Sequence, residues 1–119
     1  DDTHAGSIMH GSAVVATAAL AAAESADAPV SAMLGAYARG YEALILLGLA
    51  APGRFHARGF QATSVAGTMA AALVAAELQS LSEDQMVAAL NDNGATFSEL
   101  AQRIEDRYIA TPYITDKGE

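Results

Sequence analysis

From Ser12 onward apolar residues return every three or four positions, the spacing that keeps one face of a helix buried. The stretch "SAVVATAALAAAES" predicts a first helix over Ser12–Ser25, rich in alanine and with Ser12 placed to cap its first amides. "ADAP" marks a turn, with Asp27 as the expected N-cap and Pro29 tolerated in a first turn. "VSAMLGAYARGYEALILLGLA" then predicts a long second helix, and its stripe of Met33, Leu34, Tyr37, Tyr41 and Leu44 is assigned to the core with no chemistry of its own. Gly35 and Gly40 each cost about 1 kcal/mol relative to alanine in an exposed helix, so both are expected where a neighbouring helix comes close.

Pro52, Gly53 and Gly59 break the periodicity in "APGRFHARGF", which is expected to form a loop. A third helix is predicted through "QATSVAGTMAAALVAAELQSL", with Gly67 again leaving room for a neighbour. Ser82 and Gln85 carry the spacing of a capping box, which predicts a fourth helix ending near Asn91, with "NDNG" as a plain turn after it. Thr96 and Glu99 repeat that spacing before "FSELAQRIEDRYI", whose Phe97, Leu100, Ile104 and Tyr108 share one face; "TPYITDKGE" reads as irregular. The fold class is therefore all-α, a compact bundle of about five helices in one domain.

Composition narrows the function. A formal charge of −8 with only six dispersed Lys and Arg residues argues against a nucleic-acid surface, which needs a basic stripe. Without cysteine there is neither a disulfide framework nor a thiolate zinc site, which fits a reducing compartment, and the cytoplasm is the expected location. The longest apolar stretch, Ala43 to Ala51, falls far short of the roughly 20 residues that span a bilayer, so no membrane partner is expected.

The candidate chemistry lies in "DDTHAGSIMHGS", which gathers acid, hydroxyl and imidazole groups just before the first helix. An unperturbed histidine titrates near pH 6.5 (about), so His10 is the expected acid/base, and the helix start behind it offers amides and a positive dipole end to a bound carboxylate. Thr3 is a hydrogen-bond donor to substrate, while Asp1 and Asp2 are better suited to orient a histidine than to bind an anion. His4 is indistinguishable from a solvated loop residue. The spacing of His4 and His10 is not that of a helical metal pair, and no metal ligand set is assigned. Arg54, His56 and Arg58 concentrate positive charge in the loop; Arg58 is the expected partner of a substrate carboxylate and Arg54 is assigned to solvent.

Three blocks in order, "DDTHAGSIMHGS", "AYARGYEALILLGLA" and "HARGFQATSVAGTMAAALVAAEL", resemble the helical domain of the MmgE/PrpD family, which includes 2-methylcitrate dehydratase, cis-aconitate decarboxylase and iminodisuccinate epimerase. The resemblance covers about Asp1 to Leu90. It divides the chain into a family-like region, residues 1–91, and a terminal helix and tail, residues 92–119, within one domain. It implies a cofactor-independent lyase or epimerase that moves a proton beside a carboxylate of a small di- or tricarboxylate, at a site between a helical domain and a smaller α/β lid. The implied catalytic set is His10, Thr3 and Asp2; the implied substrate-binding set is Asp1, Arg58, Gly59, Gln61 and Thr63. Family members are several times longer and their lid supplies a lysine, whereas the one lysine here is Lys117, and Gln61 stands where the family commonly has histidine. The expected partners are therefore a small polycarboxylate and either a second copy or a lid-bearing chain, with the sequence a fragment or subunit of a larger enzyme. The alternative is a non-catalytic helical module of the same descent, serving assembly or anion binding.

Overall fold

A computed structural model describes residues 2–92. A two-stranded antiparallel hairpin, β1 (Thr3–His4) and β2 (Met9–His10), leads directly into α1 (Gly11–Ser25). The chain continues through α2 (Val30–Ala50), the single turn α3 (Arg54–Ala57) and α4 (Ala62–Leu78). A further helix, α5, begins at residue 83 and is helical through residue 92. The architecture is a helical bundle with one small hairpin, the all-α class expected from the periodicity.

Helices α1, α2 and α4 pack on one another in all three pairings. Their shared core holds Val15 and Ala19 from α1, Ala36 and Leu44 from α2, and Ala66, Ala70 and Val74 from α4. Alanine is what permits this arrangement: its side chain adds little bulk between helix backbones, so three helices meet closely without a large central residue. Gly40 marks the tightest point, because a Cβ there would lie 2.3 Å from Val74 Cγ2 and 2.8 Å from Val15 Cγ1. Full burial of Leu44, Val15, Val74 and Met9 contributes about 1.5–3 kcal/mol for each of these side chains. On the far side of α2, Arg39 donates to the Glu77 carboxylate of α4 through Nε at 2.8 Å and also through Nη2, tying the two helices at the surface. Arg39 holds the Glu77 carboxyl below its ordinary range, against the opposing effect of partial burial.

Several local expectations are corrected. Ser12 does not cap α1: the helix starts one residue earlier, and the Ser12 hydroxyl is 2.9 Å from the phenol of Tyr37. Asp27 does not cap α2 either; it takes a left-handed turn conformation at φ 49°, and Pro29 stands at the N-cap without a side-chain bond. Gly35 faces only its own helix's Arg39 side chain, so no neighbouring helix explains it. Leu34 drops out of the buried stripe at 55% exposure, because α2 turns that position toward solvent. The expected loop at residues 52–61 contains α3, since Phe55 packs against the core and draws the segment into one helical turn. The third helix ends at Leu78 rather than at Leu81, with Ser80 at φ 56° turning the chain.

The capping box does form: the Ser82 N–H donates to Gln85 Oε1 at 2.9 Å and the Gln85 N–H to Ser82 Oγ at 3.3 Å. Asn91 and Asp92 are helical rather than part of a turn. The expected terminal helix with Phe97, Leu100, Ile104 and Tyr108, and the tail after it, lie outside the described residues.

Candidate functional site

The hairpin sorts its side chains by the two-residue alternation of a strand. Register pairs Thr3 with His10 and His4 with Met9, so Thr3 and His10 share one face. On the other face Met9 is fully buried and seats against α2, where a Cβ on Gly48 would lie 2.8 Å from Met9 Cε. Ile8 completes the turn at φ 56°, a conformation that costs a β-branched residue about 1–3 kcal/mol and that the packing around Met9 maintains. His4 is half-buried rather than solvated. Its Nδ1 lies 2.9 Å from Ser7 Oγ and accepts the Ser7 N–H at 3.2 Å, which locks the turn and leaves His4 apart from His10.

His10 sits at the N-cap of α1 and links three segments. Its Nδ1 is 3.0 Å from Thr3 Oγ1 and 3.4 Å from Asp2 Oδ1, and its backbone N–H donates to Thr63 Oγ1 on α4 at 3.0 Å. The second oxygen of Asp2 accepts the Ala13 N–H of α1 at 3.1 Å. Partial burial raises the Asp2 pKa, but hydrogen bonds from the Ala13, Ser12 and Asp2 amides and from His10 outweigh it and hold the carboxyl below its ordinary value of 3.8. The Ala13 and Ser12 amides at the start of α1 are thus bonded to the protein's own Asp2 carboxylate. An ionised carboxylate beside Nδ1 favours the tautomer with its proton there, which places the imidazole lone pair on Nε2. An imidazole oriented in this way by a hydroxyl and a carboxylate has the geometry that general acid/base chemistry requires.

Other candidate residues are placed differently. Gln61 is the N-cap of α4, its Oε1 accepting the Thr63 N–H at 3.1 Å. Thr63 is buried and holds the His10 backbone through its hydroxyl. Arg58 ends α3 with its side chain exposed, and Gly59 follows at φ 81°, in the left-handed region that favours glycine. Thr63 follows Arg58 by five positions, a span that holds their Cα atoms within about 18 Å of each other even if fully extended. Asp1 lies outside the described residues.

The chain matches the MmgE/PrpD N-terminal domain over residues 1–108. It belongs to the MmgE/PrpD family. The match takes in the hairpin, the three packed helices and α5, and runs on beyond Leu90 into the segment after them. No curated protein and no solved structure matches the chain. Within this MmgE/PrpD domain, no helix of the described residues is long and apolar enough to cross a membrane.

Two tyrosines of α2 meet the residues around His10 in the chain, at Asp2, Gly11 and Ser12. The Tyr41 hydroxyl donates to the Asp2 carbonyl at 3.1 Å, and its ring covers Gly11, where a Cβ would lie 2.4 Å from the ring. Tyr37 meets Ser12, and the two rings are 5.9 Å apart at 60°. Helical spacing assigned both residues to the core; the signal for their second use is the glycine directly after His10, which makes space for a ring.

Proposed function

We propose that this chain supplies the proton-transfer part of a cofactor-independent MmgE/PrpD-type lyase or epimerase acting on small di- or tricarboxylates. The observation that carries this reading is the His10 imidazole held beside Thr3 and Asp2, its Nδ1 3.0 Å from Thr3 Oγ1 and 3.4 Å from Asp2 Oδ1. In the proposed step Nε2 takes a proton from a carbon next to a carboxylate. The electron pair of the broken C–H bond moves toward that carboxylate, or onward to expel a β-hydroxyl group, which leaves as water with the proton that the imidazolium gives back, and Asp2 stabilises the imidazolium until then. In epimerisation His10 keeps the proton it took, and an acid on the lid or partner side delivers another to the opposite face. Arg58 pairs with a substrate carboxylate through its guanidinium, drawing charge from the reacting carbon. A lid or partner chain supplies the remaining side of the pocket.

The test is hydrogen–deuterium exchange at the carbon next to a carboxylate, followed by NMR in D2O with 2-methylcitrate, cis-aconitate and iminodisuccinate, together with product analysis. His10→Gln is expected to slow exchange and turnover by about 10²–10⁴-fold. Full activity in that variant rejects the assignment.

The second reading, a non-catalytic assembly module, is favoured by the exposure of Leu20, Leu34, Leu46 and Leu49 at 46–58%. It expects a stable oligomer without exchange on any of the three acids, and a monomer in light scattering counts against it.

A further inference from the structure

We infer that Tyr41 is a positioning residue for His10, acting through the phenol hydrogen bond to Asp2 and the contact of its ring with Gly11. The inference rests on the proton-transfer reading for its consequence in turnover, but its geometry stands apart from that reading. Asp2 precedes the hairpin and has no regular secondary structure to fix its backbone. Its carboxylate must nevertheless stay 3.4 Å from His10 Nδ1 and 3.1 Å from the Ala13 amide. The Tyr41 hydroxyl donates to the Asp2 carbonyl and so ties that residue to α2, a helix whose own position is set by the core at Leu44 and Gly40.

The same ring determines how closely the start of α1 approaches α2. Gly11 follows His10 directly, and any side chain there would have to displace the ring. One tyrosine therefore sets the separation between the carboxylate carrier and the imidazole carrier. Tyr37 acts one residue further along, its hydroxyl 2.9 Å from that of Ser12 rather than on the Asp2 carbonyl. That difference makes Tyr37→Phe an internal comparison, since it removes a similar hydroxyl from the same helix face.

The experiment is imidazole ¹⁵N NMR on the chain, comparing wild type with Tyr41→Phe and Tyr37→Phe, with circular dichroism to check helix content and turnover measured in parallel. Tyr41→Phe is expected to move the His10 ring-nitrogen resonances away from the Nδ1-protonated pattern and to lower kcat by up to about tenfold, the scale of one hydrogen bond, with KM little changed. Tyr37→Phe is expected to leave the resonances closer to wild type. Gly11→Ala, which pushes the ring aside while keeping the hydroxyl, is expected to reproduce the Tyr41→Phe shift and decides the matter if that variant folds poorly. His10 resonances in Tyr41→Phe that superpose on wild type overturn the inference. Absence of turnover in wild type, with the shift still present, instead rejects the catalytic reading and leaves the positioning role standing.

Discussion

Asp2 joins two structures with one carboxylate: Oδ1 lies 3.4 Å from Nδ1 of His10, and Oδ2 accepts the amide of Ala13 in the first turn of α1. The candidate base and the helix that carries it are therefore oriented by the same group, and changes at Asp2 affect both.

The first prediction concerns acid stability. The folded-state pKa of Asp2 lies below the ordinary 3.8, so its contribution is fully present above that value and disappears as pH falls through the lower folded value. Asp2→Asn is expected to lower Tm at neutral pH and to flatten the loss of Tm below pH 3.8. Glu77, held low by Arg39, leaves a residual slope that Glu77→Gln removes. Thermal melts followed by circular dichroism across the acid range measure both, and an unchanged slope in Asp2→Asn contradicts the role given to its carboxylate.

Gly40→Ala tests the packing at the centre of the bundle. A methyl group at 2.3 Å from Val74 Cγ2 and 2.8 Å from Val15 Cγ1 requires these β-branched side chains or their helices to shift, and the expected loss is about 1–3 kcal/mol. The double variant with Val74→Ala should recover part of that loss in chemical denaturation. If the two losses simply add, the contact is not where the strain resides.

Gln61→Ala removes the side-chain acceptor at the start of α4. A stability loss of about 1 kcal/mol is expected, as for other N-caps. Because Thr63 also holds the His10 amide, looser capping should speed amide hydrogen exchange at His10, which mass spectrometry of the hairpin peptide can follow. Exchange at the wild-type rate would separate the cap from the site.

Arg58→Ala separates binding from folding. The side chain is exposed, so Tm should change by less than the equivalent of about 0.5 kcal/mol. If Arg58 pairs with a substrate carboxylate, KM rises by about tenfold or more, the scale of a charge-assisted hydrogen bond. A KM equal to wild type removes Arg58 from the substrate-binding set.

Much of the architecture was legible in the chain. The span of α2 follows from unbroken helical spacing between Pro29 and Pro52, and the Ser82–Gln85 cap depends on groups three residues apart. Such features need only local geometry. Ser12 and Asp27 show the limit of that reasoning: both are good capping residues, but Ser12 is taken by Tyr37 from another helix and Asp27 by the geometry of its turn. Gly35 and Gly40 look alike in the sequence, and only the placement of α4 and α1 distinguishes the glycine that admits neighbours from the one that does not.

The same division holds at the candidate site. The sequence by itself determined that an imidazole flanked by acid and hydroxyl groups stands at the start of a helix, because those residues adjoin one another along the chain. Tertiary structure alone decided that Asp2 occupies the helix amides, that Thr63 grips the His10 backbone across a separation of 53 residues, and that Tyr41 reaches the Asp2 carbonyl from α2. Each of these contacts depends on helix-to-helix distance. That distance is set by small residues in the core, far from the groups it brings together.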